Sequence, residues 1–561
     1  MRSDYHKYPP IEPDIRQWPV YRLSQDRDHF IRQMRTSVFN QLTANQTKSV
    51  KALVDRALYM ERSRIKDNPW KVDPPDERLF WSKVRKRMAS AVEEDNHETE
   101  YDVLQEIIHR YAREIVGTFQ INTFLFARRF LTFFFSRLLN TLKAGSLFGN
   151  RYQLHDQLNV VGEFEMVRSL MKKGTVIIVP THSSNLDSIL IGYMLDAILG
   201  LPSFSYGAGL NLYNTGYIAY FMNRLGAYRV DRRKKNLIYL ETLKSFSRLS
   251  IERKVNSLFF PGGTRSRSGQ IEPKLKIGLL STAVEAQRSN FQKGQEDKIF
   301  IVPLNVSYHF VLEANSLIHQ HLRQEGKEKY ITSSRDDSYS IRKNIKFIWK
   351  LFRNTSQITF SFSRPMDVLG NLVDQDGVSY DQQQRPIHVR EYFRLGEEIT
   401  ADLQRESQYS KHLAERIVQC LYADNVVLSS HFVAYLAFEI LRNEHPGMDV
   451  FGIIQLPEEE YTFDWDSLVN GGRELQQALI HYRNQEKVRL SDILLQDIEV
   501  LLADGIKNIG IFHAEKPLYQ DKKGKVRSQS FKLLYFYHNR LEGYQLEDKV
   551  QWNRLQLSIA D

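Results

Sequence analysis

The sequence predicts an α/β protein, a central mixed or mostly parallel sheet flanked by helices, with a helical N-terminal region and a mainly helical C-terminal region. Two observations predict this. Between residues 151 and 370, short β-rich runs (TVIIVP, SFSYGA, YRVD, SLFFPG, FIVPLNVSY, ITFSFSRP) alternate with helical stretches such as SILIGYMLDAIL and KLKIGLLSTAVEAQR. Apolar strands alternating with helices indicate a sheet buried on both faces. On either side the apolar residues shift to helical spacing, in LFWSKVRKRMASAVEE and YDVLQEIIHRYAREIVGTF before the sheet and FRLGEEITADLQRE and VRLSDILLQDIEVLLADGI after it.

The chain therefore divides into a basic helical region over 1–150, an α/β domain over 151–370 and a C-terminal region over 390–561. A length of 561 residues exceeds one hydrophobic core. The polar, turn-rich segments 326–342 and 369–389 read as loops or insertions, and NIGIFH and FKLLYFYH as further strands.

Hydrophobic residues at 42% and charged residues at 26% describe an ordinary globular chain, and a net charge of +10 favours anionic partners. No nucleic-acid-binding fold signature accompanies that charge, so a membrane surface or a phosphorylated substrate is the expected partner and nucleic acid is not. The single cysteine, Cys420, excludes an intramolecular disulfide and sits among apolar neighbours as a packing residue. The first residues, MRSDYHKYPP, lack the apolar core of a signal peptide, so the protein is not expected to be secreted. No stretch provides the ~20 apolar residues of a membrane span. Residues 116–136 come near it but carry Arg128 and Arg129 in the middle, which suits either a helix lying at a lipid interface or a buried core helix. Peripheral attachment on the cytoplasmic side of a membrane is the expected location.

Three stretches carry candidate chemistry. In VPTHSSNLDSIL, His182 follows the end of a strand, where ligands gather in α/β sheets. Ser183, Ser184 and Asn185 are helix-capping residue types, and a turn through them folds Asp187 back onto one imidazole nitrogen, leaving the other to take a proton. The same H-x4-D spacing recurs at His97 and Asp102 with no strand before it, so context rather than spacing singles out His182. In NRLGAYRVDRRKKN, Gly226 separates a helical run from a short strand and Arg232 follows that strand; the basic cluster is either a solvated face or a phosphate clamp. In FFPGGTRSRSG, Gly262 and Gly263 let backbone N–H groups approach an anion. Thr264, Arg265, Arg267 and, downstream, Lys274 add donors for a phosphate.

These blocks occur in the order His182-x4-Asp187, GAYRVDR, FFPGGTRSRSG and the strand IVPLNVSY with its Pro303. That order resembles the glycerolipid acyltransferase superfamily over residues 170–310. The extended N- and C-terminal regions make the chain most similar to the large membrane-associated glycerol-3-phosphate and dihydroxyacetone-phosphate acyltransferases. The resemblance implies acyl transfer from an acyl thioester, acyl-CoA or acyl carrier protein, to the hydroxyl of glycerol-3-phosphate or a related phosphorylated alcohol. His182 is then the general base and Asp187 its support. Arg232, Arg265, Arg267 and Lys274, with Gly263 and Thr264, hold the acceptor phosphate. Backbone N–H groups near Gly263 or in the serines after His182 face the thioester oxygen, and residues 186–221 offer an apolar channel. No metal and no cofactor beyond the thioester co-substrate is implied. The alternatives are a lysophosphatidate acyltransferase and a catalytically weak acyl-thioester- or lipid-binding relative.

The third block departs from the family pattern. A glutamate usually precedes its second glycine, and Gly262 stands there. Glu272 is the carboxylate available to that gap.

Overall fold

The computed structural model describes residues 6–44, 49–70, 72–94, 96–140, 158–210, 213, 216–325 and 358–550; the segment 326–342, read above as a loop, lies outside them. Seven strands form the central sheet: β1 (Leu158–Gly162), β2 (Gly174–Pro180), β3 (Ser205–Gly209), β4 (Ala227–Val230), β5 (Ser257–Leu258), β6 (Lys298–Tyr308) and β7 (Ile358–Phe362). Their order is β1-β7-β6-β2-β5-β3-β4. Every neighbouring pair is parallel except β6 and β7. The sheet is thus mixed and mostly parallel.

Strands β2 and β6 form its centre, in register from Gly174↔Lys298 to Pro180↔Leu304. Because successive side chains leave opposite faces, β2 feeds two cores. Val176 and Ile178 join the core that contains Leu190, Leu317, Phe432 and Leu534, whereas Ile177 and Val179 join the one that contains Leu280, Val284 and Ile417. Helices Asp187–Tyr193 and Ala314–Gln324 therefore cover one face and Ile277–Gln292 the other, each joined by helices of the C-terminal region. Burial on both faces explains why these strands read as continuous apolar runs.

The N-terminal helices make a separate core, in which Trp18, Phe30, Ile107 and Tyr111 pack against Tyr239, Phe246 and Leu249 of the Leu237–Glu252 helix. Asn236 starts that helix by accepting from Tyr239 N at 2.9 Å.

Several expectations are corrected. FKLLYFYH is not a strand but the start of a helix, Phe531–Glu542. Its aromatics suit a strand, yet Phe531, Tyr535 and His538 follow helical spacing, and all three rings pack on Phe438. NIGIFH completes a helix, Ile498–Asn508, and then turns. Residues 369–389 are not loop throughout but hold three short antiparallel strands, Leu372–Val373, Ser379–Tyr380 and Pro386–Ile387. FRLGEEITADLQRE opens with a tight pairing of Arg394–Leu395 on Glu398–Ile399 and becomes helical only at Leu403. β1 was not anticipated.

Candidate active site

The parallel strands end on one side of the sheet, and the loops leaving β2, β5 and β4 bring His182, the Pro261–Gly269 segment and Arg232 there. Thr181 fixes the end of β2 by donating its N–H to Leu304 O at 2.9 Å and accepting Val306 N–H on Oγ1 at 3.1 Å. His182 follows.

The turn after His182 returns Asp187 to the imidazole, with His182 Nδ1 2.9 Å from Asp187 Oδ2. The same oxygen accepts the N–H groups of Ser183 at 2.7 Å and Ser184 at 2.9 Å. Tyr308 Oη, at the end of β6, donates to the other oxygen at 2.6 Å. A fully buried carboxylate is tolerable when donors converge on it in this way. An ionised Asp187 can only accept, so His182 directs its Nδ1–H there and Nε2 keeps a free lone pair. The His182 ring also stacks on Phe260, with centroids 3.9 Å apart. The bare H-x4-D match at His97 forms nothing comparable: His97 is an exposed residue at the start of a helix of the N-terminal core, and its imidazole faces Glu100.

The capping role expected of Ser183, Ser184 and Asn185 is corrected. The helix begins at Asp187 with Leu186 as its cap residue and no side-chain cap. Ser184 Oγ donates instead to Glu313 Oε2 at 3.0 Å, and Asn185 N–H to Glu313 Oε1 at 3.1 Å. The backbone N–H groups of Ser183 to Asn185 are therefore engaged and do not face a thioester oxygen.

The glycine turn comes up against this histidine. Ser266 N–H donates to His182 O at 2.7 Å, tying the two loops together. Gly263 has a positive φ of 78°, the left-handed conformation that glycine adopts without strain, and its N–H closes a turn onto Phe260 O. Among the described residues, the N–H groups of Thr264 and Arg265 meet no protein acceptor. Arg265 Nη1 pairs with Glu313 Oε1 at 3.3 Å. Arg267 donates to Gln324. Arg232 is exposed and, among the described residues, makes no ion pair. Partial desolvation and then the positive charges of Arg265 and Arg267 lower its pKa, so the three guanidinium groups lie within electrostatic reach of one another. Such a cluster, with unengaged backbone N–H groups beside it, has the chemistry that suits an anion.

Other expected residues fall elsewhere. Lys274 is exposed and makes no hydrogen bond or ion pair among the described residues, whereas Lys276 brings its amine against Gly263. Gly226 packs against Val20 and Phe119 of the N-terminal region. Pro303 is buried in β6 opposite Val179. Arg233 and Lys234 are taken up by the N-terminal region: Arg233 by Asp73 and Asp231, Lys234 by Glu114. Leu190, Ile191, Met194 and Ile198, expected to line a channel, are buried core.

Sequence reading missed Tyr308, Glu313 and Arg540. Tyr308 closes the recognised IVPLNVSY strand, a visible signal. Glu313 and Arg540 carry no local signal, because only the fold brings them in. Arg540, from the Phe531–Glu542 helix, is buried, donates to Asn425 Oδ1 at 2.9 Å and Val306 O at 3.3 Å, and lies within electrostatic reach of Asp187 and Glu272. A cavity of about 20 Å³ lies between Ser183, Gly269, Tyr308, His431, Phe536 and Arg540, where the C-terminal region meets the site.

A strand-end His–Asp pair beside an arginine-lined glycine turn defines an acyltransferase domain, and residues 157–307 match the family described as Acyltransferase. That domain is similar to those of the glycerolipid acyltransferase superfamily. It is 25% identical over 246 residues to a glycerol-3-phosphate acyltransferase of Alteromonas mediterranea, a match covering 43% of this chain and 27% of the relative. The glycerol-3-phosphate acyltransferase of Ectopseudomonas mendocina is 25% identical over 57% of this chain and 35% of its own length. That of Pseudomonas fluorescens is 26% identical over 52% and 32%. The chain thus spans about a third of the length of these curated relatives.

Proposed function

We propose that the protein transfers an acyl group from an acyl thioester to a hydroxyl of glycerol-3-phosphate or a closely related phosphorylated alcohol. The observation that carries this reading is the adjacency of a His182–Asp187–Tyr308 relay to the Arg232–Arg265–Arg267 cluster. His182 Nε2 takes the proton of the acceptor hydroxyl as its oxygen attacks the thioester carbonyl, and Asp187 stabilises the imidazolium that forms. Collapse of the tetrahedral intermediate expels the thiolate, which recovers the proton from His182. The unengaged N–H groups of Thr264 and Arg265, with the arginines, hold the phosphate. The names of the relatives support glycerol-3-phosphate as the acceptor.

The test is turnover of purified protein with acyl-CoA and acyl carrier protein thioesters against glycerol-3-phosphate, dihydroxyacetone phosphate and lysophosphatidate. Acylation of a small phosphorylated alcohol is expected. Turnover confined to lysophosphatidate favours the alternative acceptor, and thioester binding with no turnover at all sinks the enzyme reading.

We also propose peripheral attachment to an anionic membrane. No helix among the described residues is long and apolar enough to cross one. Yet the Ile121–Asn140 helix exposes Phe126, Phe130 and Phe133 along one face beside an exposed Arg129, while Arg128 turns inward to Asp196. An exposed aromatic face flanked by cations suits a lipid interface. Sedimentation with anionic vesicles should fall for Phe130→Asp and at high salt; undiminished binding in both contradicts this surface.

A further inference from the structure

Position 262 has no side chain, but its space is not empty. A Cβ built on Gly262 would lie 2.9 Å from both Cγ and Oε1 of Glu272, so the Glu272 carboxyl group already occupies the volume that a side chain there would take. The carboxyl arrives from the return limb of the same loop, which passes Gly269 and Ile271 before entering the Ile277–Gln292 helix.

This group is unusual in three respects. Oε1 is buried and meets no hydrogen-bond partner, although buried polar atoms are nearly always paired. Burial pushes its pKa up to about 7, while its own backbone N–H, the charge of Arg540 and the backbone N–H of His182 pull the other way. It also stands at the junction of the glycine turn and the strand-end histidine. Tyr422 and Arg540 face it from the C-terminal region and Asp187 from the histidine loop. An orphaned carboxyl oxygen held at such a junction is costly, and groups of this kind concentrate at functional sites.

We propose that Glu272 is a positioning residue of the acceptor site, filling from further along the chain the space of the absent residue-262 side chain and bracing the Gly262–Gly263 turn and its arginines against His182. The carboxyl that this arrangement requires need not be attached at position 262; it has only to reach the space beside it. Arg540 makes the C-terminal region a party to the brace. The inference rests on the acyl-transfer reading above.

Relocating the carboxyl tests it. Glu272→Gln keeps the side-chain shape and should raise the acceptor KM about tenfold while leaving the thioester KM unchanged, as for loss of one charge-assisted contact. Gly262→Glu alone should also impair the enzyme, because two carboxyls compete for one space. The double variant Gly262→Glu/Glu272→Ala should bring the acceptor KM back to within about threefold of the parent, a rescue that a purely structural role does not produce. A Glu272→Gln enzyme with the parental acceptor KM overturns the inference, as does a folded double variant no better than Glu272→Ala. A parent protein that transfers no acyl group to any acceptor overturns the reading on which it rests, which a parental KM in Glu272→Gln does not.

Discussion

The helices before the sheet and those after it both dock on the acyltransferase domain, but they treat its charges in opposite ways. The N-terminal region brings acids. Glu114 takes Lys234 and Asp73 takes Arg233, while Glu61, Glu77 and Arg64 complete a buried network that Tyr111 and Asn236 satisfy with hydrogen bonds. Burial alone pulls the Lys234 amine down, yet Glu114, Glu61 and Glu77 outweigh it and hold its pKa above the usual value. The C-terminal region brings a cation and hydrogen-bond donors instead. Arg540 lies within electrostatic reach of Asp187 and Glu272, Asn539 Nδ2 donates to Ser268 O at 3.0 Å, and Tyr537 Oη accepts Val311 N–H at 3.0 Å. One side neutralises Arg233 and Lys234 and leaves Arg232 to the site; the other supports the loop that carries Arg265 and Arg267.

The largest expected effect separates the two docking regions by pH. On the C-terminal side, burial lowers His309 to about 4 and His513 to about 3 from an ordinary 6.5, and His431 falls well below it, despite Asp504 near His309 and with Arg540 adding to the burial of His431. The unfolded chain then binds more protons between these values and 6.5, so their contribution to stability is present above pH 6.5 and is lost as pH falls through 4. Amide protection factors across 429–441 and 531–542 should therefore fall on acidification before those of the 97–115 helix, where His109, also lowered by burial, is only half-buried. Simultaneous loss of protection contradicts the distinction.

Next is Lys234→Ala, which leaves buried acids without their cation and should cost about 3–5 kcal/mol in chemical denaturation. Its acceptor KM should stay near the parental value. Arg232→Ala should show the reverse, an acceptor KM raised about tenfold or more with an unchanged denaturation midpoint, because that side chain is exposed and makes no ion pair among the described residues. Matching profiles for the two variants would mean that adjacent members of one basic run are not divided between packing and binding.

Gly269→Ala addresses the C-terminal support. Gly269 has a φ of 93°, and a Cβ there would lie 2.0 Å from Phe536 O. The substitution should cost about 2 kcal/mol or more and lower turnover with it, since the loop must move off the Phe531–Glu542 helix. The smallest effect is Tyr308→Phe, where loss of one donor to Asp187 should lower kcat about tenfold with little change in KM.

How much of this was legible followed from how local each feature is. The parallel strands announced themselves because burial on both faces leaves unbroken apolar runs, and the return of Asp187 onto His182 is set within a single short turn. Features completed by distant chain were not legible. Nothing around Arg540 shows that its helix docks under residues 266–270, and nothing around Glu313 shows that it ties down Ser184 and Asn185. FKLLYFYH misled because a helix buried along its length against aromatic neighbours has the composition of a strand. Arg233 and Lys234 resembled Arg232 in sequence and differ from it through the acids that take them up, Asp73 and Asp231 for Arg233 and Glu114 for Lys234.

His182 is the proposed base for acyl transfer to a phosphorylated glycerol-type acceptor. Its most direct test is single-turnover transfer of a labelled acyl chain from its thioester to glycerol-3-phosphate by the parent, His182→Ala and His97→Ala proteins. The account predicts a labelled monoacyl product, a loss of about 10²–10⁴-fold for His182→Ala and no loss for His97→Ala. Equal activity in the parent and His182→Ala proteins would contradict it.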